Sequence, residues 1–512
     1  MVETPLRPIF AHACLALCLL LAAAPMVLVD YPPIFDYPNH LARAQVIASL
    51  DRSAIFQAHF QQSSFLIPNV LADLVVLALM PLGGVMVAGK VLLLLTFALT
   101  LTGAYALNRQ VTGQFNPWPL MAAVFLYNEG FFWGFLNYNL GLGLMLWGLA
   151  AWVALRHRPA WIRVAVGTAF ALAVFFAHLV AFGLYAVAVA VIELHRRATL
   201  PQLAVGVAQF MLPLAVFVGL SPSGELDVVA LFDFSIPGKI MPFARVISSG
   251  NPLLDFATLA ATGGALAVAL LGGLARTDRS LGLVAAVFLL LELTLPYSML
   301  GSYFLDSRIV VAIALMLMTS LTPRRGMAAA WVVLAIVGGR SYALMDDWRL
   351  QDDDTAAVIA TLDQVPPGSV IVTAVGHPFE LGDWVATRRI KPSHEHTTLY
   401  ATIRNSVLVP NIFARPGQNP LTFHSSLEAL DRAARNPVAR IFHSGDARWM
   451  VGEMLPLADT AHTITPPIPA VYIIGYHVPC AWWPVDMPIR AVACDPTYSL
   501  IEILGGVTEP IP

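Results

Sequence analysis

The chain has 512 residues, of which 58% are hydrophobic and only 12% charged, with a mean hydropathy of +0.71 and a formal net charge of −3. Soluble proteins carry about 25% charged residues, so this composition excludes an ordinary water-soluble enzyme and asks for a bilayer. Its 29 Lys and Arg are spread along the chain with no basic tract, which excludes nucleic acid as a partner.

The first apolar run, Ile9 to Val29, follows Arg7 and reads as an uncleaved span. It continues through Pro25 beyond the length of a signal core, and Pro directly after Ala22-Ala23-Ala24 is a poor cleavage context. Cys14 and Cys18 lie inside it and read as packing residues. The next segment, Tyr31 to Arg43, brings Asp36, His40 and Arg43 close together in sequence. From Asn39 onward the lack of proline and the spacing of Leu41, Gln45, Ile47 and Leu50 predict a helix with His40 and Arg43 at i and i+3 on one face. Asp36 falls just before it. A carboxylate at a membrane interface suits a general base acting on a hydroxyl acceptor, and His40 and Arg43 suit a phosphate leaving group. The plainer alternative is a helix-capping Asp with basic interface anchors.

Pro68 to Leu82 is apolar but short, and reads as a membrane-adjacent helix. Longer runs follow at Val85 to Leu107, Pro117 to Phe132, Leu136 to Leu155, Ile162 to Ala177, Leu179 to Leu194, Gln202 to Leu220, Phe256 to Leu274, Leu281 to Met299, Ile309 to Leu321 and Met327 to Leu344. With the first, about eleven membrane helices are expected. The runs flanking His178 are each short for a span and together too long for one, which predicts a break at His178.

Arg109, Arg156 with Arg158 and Arg163, Arg196-Arg197, Arg276 with Arg279, and Arg324-Arg325 follow alternate runs. Cytoplasmic loops are enriched in such residues, so these define the cytoplasmic side. Outer loops 30–84 and 221–255, the turn Gly301 to Arg308, and everything after Asp346 are then extracytoplasmic, in a bacterial inner membrane. The second outer loop holds Glu225, Asp227, Asp233, Lys239, Arg245 and Asp255; Lys239 and Arg245 are its candidate phosphate ligands. Lys90, Glu129, His178, Glu292, Asp306 and Arg308 are ionisable groups in or near the membrane, where an unpaired charge costs at least ~2.5 kcal/mol to insert. Lys90 reads as structural. His178 and Arg308 read as substrate ligands, with mutual neutralisation of Asp306 and Arg308 the alternative. Asn128, Glu129, Trp133, Asn137, Tyr138 and Asn139 crowd one helix connection and could line a sugar site or form an aromatic belt.

Charge density rises at Asp346-Asp347-Trp348-Arg349 and Asp352-Asp353-Asp354, dividing a transmembrane domain, 1–345, from a small soluble α/β domain, 346–512. There Thr355 to Leu362 predicts a helix capped by Asp354, Pro366-Pro367-Gly368 a turn, and Val370 to Val372 and Val471 to Ile474 strands. An oxidising compartment would allow Cys480 and Cys494 to form a disulfide. His377, His394, Glu395 and His396 invite a metal reading, but His394-Glu395-His396 lacks the i, i+4 spacing of the helical two-His zinc motif.

A first span, an Asp-bearing loop entering interfacial helices, a Pro-started apolar stretch (Ile67-Pro68-Asn69), many spans and an appended outer domain together resemble the GT-C superfamily of membrane glycosyltransferases. The resemblance implies a polyprenyl-phosphate-sugar donor and a first-loop acidic residue acting as catalytic base or metal ligand; Asp36 is the matching position. Tyr37 stands where the commoner acidic pair has its second carboxylate, so a metal-independent mechanism is expected and no cofactor is called for. The expectation is transfer of a sugar to a glycan, lipid or protein acceptor of the envelope. A transporter or flippase, or a non-catalytic polysaccharide assembly factor, is the alternative.

Overall fold

The structure is a computed structural model and describes residues 6–220, 230–298, 304–376, 392–424, 430 and 438–505. Glu225, Asp227 and His377 lie outside the described residues. The chain forms two compact units: one comprises Met1–Val29, Leu66–Val75 and Lys90–Trp348, the other Asp30–Phe65, Val76–Gly89 and Arg349–Pro512.

The first unit is helical. Among the described residues six helices are long and apolar enough to cross a membrane: α1 (Pro8–Val27), α5 (Gly84–Thr112), α8 (Ala160–Ala177), α10 (Leu200–Leu220), α12 (Pro252–Leu271) and α15 (Gly326–Leu362). Four further apolar helices accompany them: α7 (Leu136–Ala154), α9 (Leu179–His195), α13 (Arg279–Thr294) and α14 (Leu305–Ser320). Pro68 to Leu82 gives only the short helix α4 (Leu71–Leu79) and a 3-10 turn, Met80–Leu82. The chain is thus a polytopic helical membrane protein.

The break expected at His178 is present. His178 has an extended backbone (φ −163°, ψ 129°), ends α8, and caps α9 by accepting the Val180 N–H at its Nδ1, 3.1 Å away. Pro117 to Phe132, in contrast, is not one continuous helix: a 3-10 segment, Trp118–Phe125, is followed by the one-turn helix α6 (Glu129–Trp133). Asn128 causes the interruption, because its extended backbone and its Oδ1, which accepts the Phe131 N–H at 2.9 Å, start a new helix. Gly141 lets α7 press against α9: a Cβ there would lie 2.9 Å from that of Ala181.

The second unit is a mixed α/β body. Its sheet has the order β6-β4-β7-β9-β8, built from β4 (Val370–Gly376), β6 (Val438–Ile441), β7 (Val471–Tyr476), β8 (Ile489–Cys494) and β9 (Tyr498–Ile503). β4 runs parallel to β6 and β7, whereas β9 is antiparallel to β7 and β8. Both strands expected from the sequence are there, as β4 and β7. Both are buried almost end to end, which is why they read as unbroken β-branched and aromatic runs rather than as alternating ones. Cys480 and Cys494 are joined by a disulfide with Cα atoms 5.9 Å apart.

The helix expected from Thr355 is the end of α15, which runs unbroken for 37 residues. Asp354 is therefore mid-helix and caps nothing. Nothing between Ser341 and Leu362 breaks a helix, since Asp, Arg, Gln and Ala are all tolerated there, and the stop comes only with Pro366-Pro367. The neighbouring Asp352 instead accepts the backbone N–H groups of Asp30 and Tyr31 at 2.9 and 2.6 Å, fixing the start of the first loop.

That loop folds into the second unit. It supplies α2 (Tyr37–Ser49), α3 (Ala54–His59) and β1 (Phe60–Gln62), and β1 pairs with β5 (Leu421–Phe423). Ala42, Val46, Ile55, Phe56 and Phe60 share one buried core with Val358, Leu362, Val370 and Leu399. Each fully buried Val, Leu or Phe contributes about 1.5–3 kcal/mol, so α2 is rigidly held. Gly89 adds to this, since a Cβ there would lie 2.5 Å from the Tyr37 hydroxyl.

Candidate functional site

In the second unit the site is built on the start of α2. Asp36 occupies the N-cap position, but its side chain makes no capping hydrogen bond. The plain alternative, a carboxylate spent on capping, therefore does not describe it. Asp36 Oδ1 lies 3.9 Å from His396 Nε2, with the two side chains 17% and 9% exposed. His396 Nδ1 is 2.8 Å from Asn39 Nδ2. Burial pushes the His396 imidazole down to about 3, so it is neutral. His40 and Arg43 do share a face, with Arg43 Nη2 2.9 Å from His40 Nδ1, and both stand beside Phe413.

The His394-Glu395-His396 triplet diverges. His394 stacks on Tyr476 at 5.6 Å, Glu395 pairs with Arg440 at 2.5 Å, and His396 turns toward α2. Burial raises the Glu395 carboxyl against the opposing effect of Arg440, and burial, then the neighbouring His477, lowers His394 to about 4. Among the described residues no three His, Cys, Asp or Glu side chains converge as a metal ligand set.

In the first unit a pocket of about 330 Å³ is lined by Glu129, Trp133, Phe135, Tyr138, Phe304 and Arg308, among others. α6 and α7 position its aromatic wall, and α14 supplies Arg308. Phe304, just before α14, stacks on Trp133 with ring centres 5.5 Å apart. Its φ of 59° is left-handed, a conformation costing a non-glycine residue roughly 1–2 kcal/mol, which marks this rim as a place where packing overrides backbone preference.

Arg308 is held by aromatic faces and an imidazole. Its guanidinium lies 4.0 Å from the Phe135 ring centre and its Nη1 2.8 Å from His178 Nε2, while its carbonyl accepts the Tyr138 hydroxyl at 2.6 Å. Mutual neutralisation of Asp306 and Arg308, the alternative that the sequence offered, does not describe Asp306: it pairs with Lys239, while Arg308 meets His178. His178 faces a donor at each ring nitrogen, the Val180 N–H and Arg308. A neutral imidazole accepts at only one, so one contact sets donor against donor.

The second-loop cations separate into two roles. Arg245, at the end of α11 (Ile236–Arg245), is 43% exposed and 3.9 Å from Glu129. Lys239, on the same helix, is buried and directs its three N–H groups to Asp306 at 3.0 Å and to the carbonyls of Glu292 and Leu295 at 2.9 and 3.1 Å. In this arrangement Lys239 is an anchor for α11 with no donor left for a phosphate. Asp233 accepts the Ser235 N–H, and Asp255 pairs with the buried Arg340 at 3.5 Å. Lys90 donates to the Val29 carbonyl at 2.6 Å.

The asparagines of the helix connection are scaffold. Asn128 caps α6, Asn139 braces Asn128 at 2.9 Å, and Asn137 caps α4 by accepting the Ala72 N–H at 2.8 Å while donating to Asn69. Residues absent from the sequence-based site are Asn39, Phe135, Phe304 and Arg340. Asn39 and Arg340 carried usable signals, one beside Asp36 and the other a charge within an apolar run. Phe135 and Phe304 carried none.

No family model and no curated protein matches the chain. Among solved structures it is similar to ArnT from Cupriavidus metallidurans in the apo state, with a TM-score of 0.55 at 12% identity, covering 96% of this chain and 97% of that one. It is similar also to ArnT of the same organism bound to undecaprenyl phosphate, with a TM-score of 0.53 at 13% identity over 98% and 99% of the two chains. At such identity the likeness establishes the fold and not the activity. The chain has the fold of ArnT.

Proposed function

We propose that the protein is a membrane glycosyltransferase that moves a sugar from a polyprenyl-phosphate donor to an envelope acceptor on the extracytoplasmic side. The observation that carries this reading is likeness along the whole chain to a protein solved with undecaprenyl phosphate, in a chain whose Asp36 is not consumed by capping. Asp36 takes the proton from the acceptor hydroxyl as that oxygen attacks the anomeric carbon. The bond from C1 to the phosphate oxygen breaks, the sugar inverts, and polyprenyl phosphate leaves as an anion.

Arg308 is a cation suited to that anion. It is held by ring faces and by an imidazole already facing another donor, so an arriving phosphate replaces a frustrated contact with charge-assisted hydrogen bonds. Arg245, half exposed on α11, is the second. His178 keeps Arg308 in place, and the rings of Trp133 and Tyr138 offer stacking faces to a sugar. His40 and Arg43 belong to the face of α2 next to Asp36 and suit the acceptor or the departing phosphate.

The test is turnover by the full-length protein in liposomes supplied with undecaprenyl-phosphate-linked hexoses and pentoses and an envelope lipid extract. Release of undecaprenyl phosphate with the label moving to a new product is expected. Movement of intact donor across the bilayer without cleavage would replace this reading with a flippase, and neither outcome with any donor would favour an assembly factor.

A further inference from the structure

The ring of His396 is oriented by a chain of contacts that begins on α2 itself. Asn39 Oδ1 accepts the Phe413 N–H at 2.6 Å, and Asn39 Nδ2 donates to the Asn411 carbonyl at 3.0 Å. These two backbone partners fix which end of the amide is nitrogen, because the reversed amide would set donor against donor and acceptor against acceptor. The second Nδ2 hydrogen then points at His396 Nδ1, 2.8 Å away, and that nitrogen must accept. A neutral imidazole accepting at Nδ1 carries its proton on Nε2. Nε2 is the atom that faces Asp36, at 3.9 Å.

We propose that Asn39 and His396 are positioning residues for Asp36: Asn39 fixes the imidazole tautomer, and His396 presents its Nε2–H to the carboxylate. This rests on the reading of Asp36 as the base. At 3.9 Å the contact is an electrostatic one rather than a direct hydrogen bond, and apo catalytic contacts of this kind commonly tighten with substrate. Phe35 and Phe413 pack on the ring at 4.7 and 5.5 Å, keeping the surroundings apolar and the dipole effective. Among the described residues His40 engages Arg43 on α2, and Glu395 engages Arg440. Asp36 thus has an oriented N–H dipole among its neighbours. Burial, which holds His396 low, keeps it from taking the acceptor proton.

The full-length protein is assayed as wild type, Asp36→Asn, His396→Phe, His396→Gln and the Asp36→Asn/His396→Phe double variant. The first readout is undecaprenyl phosphate release from the same donor set. The second needs no turnover: carbodiimide labelling of Asp36 against pH, followed by peptide mass spectrometry. His396→Phe is expected to lower kcat about 10–100-fold with the donor KM unchanged, and to move the Asp36 labelling midpoint up by about one pH unit. His396→Gln, which keeps an N–H donor, should restore most of both. In the Asp36→Asn background His396→Phe should cost nothing more, because it acts only through that carboxylate. An unmoved labelling midpoint in His396→Phe overturns the inference, and so does an equal loss with and without Asp36. Should His396→Phe not fold, Asn39→Leu removes the donor facing Nδ1 without adding a charge and should raise the midpoint likewise. Wild-type transfer by Asp36→Asn would remove the base reading alone, leaving the labelling result to judge the positioning contact.

Discussion

Acidification should loosen the segment around His396, and His396→Phe should cancel much of that sensitivity. Burial holds this imidazole at about 3, against about 6.5 for an exposed histidine. The folded value is depressed, so the opened state binds the proton first. The stabilisation is fully present above about pH 6.5 and declines by about 1.4 kcal/mol per pH unit as pH falls toward 3. Going from pH 7.5 to 5 therefore costs about 2 kcal/mol, a roughly 30-fold larger population of the opened segment. Amide hydrogen exchange of peptides spanning 394–413, corrected for intrinsic rates, measures this in detergent without requiring reversible global unfolding. His394, held at about 4 by burial, adds its own response, so the informative quantity is the difference between wild type and His396→Phe. Equal pH sensitivity in the two proteins would refute the buried neutral imidazole.

Arg308→Gln should weaken undecaprenyl phosphate binding about tenfold or more, the loss of one charge-assisted contact of about 1.5–3 kcal/mol, read by native mass spectrometry. Lys239→Met leaves Asp306 buried without its cation and should cost about 3–5 kcal/mol, seen as lower yield and melting temperature. Cys480→Ser opens a loop whose ends are 14 residues apart and should destabilise the second unit by about 3 kcal/mol, measured by exchange protection of β8 and β9.

Most of the spans, though not Pro117 to Phe132, together with the break at His178 and the strands at Val370 and Val471, were legible because each rests on local pattern: apolar length, a polar residue between two short runs, β-branched composition. Phe135 beside Arg308 was not legible, since 173 positions of sequence separate partners that only packing brings together. Lys239 shows the same limit from the other side. Its residue type suited a phosphate, and only the positions of Asp306, Glu292 and Leu295 reveal that its donors are occupied. The Asp354 cap failed because a cap needs the helix to begin there, whereas α15 arrives already formed. His396 stood in a triplet that drew attention to metal ligation, while its partner Asn39 is 357 residues away.

Asp36→Asn in membranes supplied with undecaprenyl-phosphate-linked sugars tests the central claim most directly, because it removes the base while preserving shape. The account predicts that sugar transfer falls by about 10²–10⁴-fold with undecaprenyl phosphate binding retained. Transfer at the wild-type rate would contradict it.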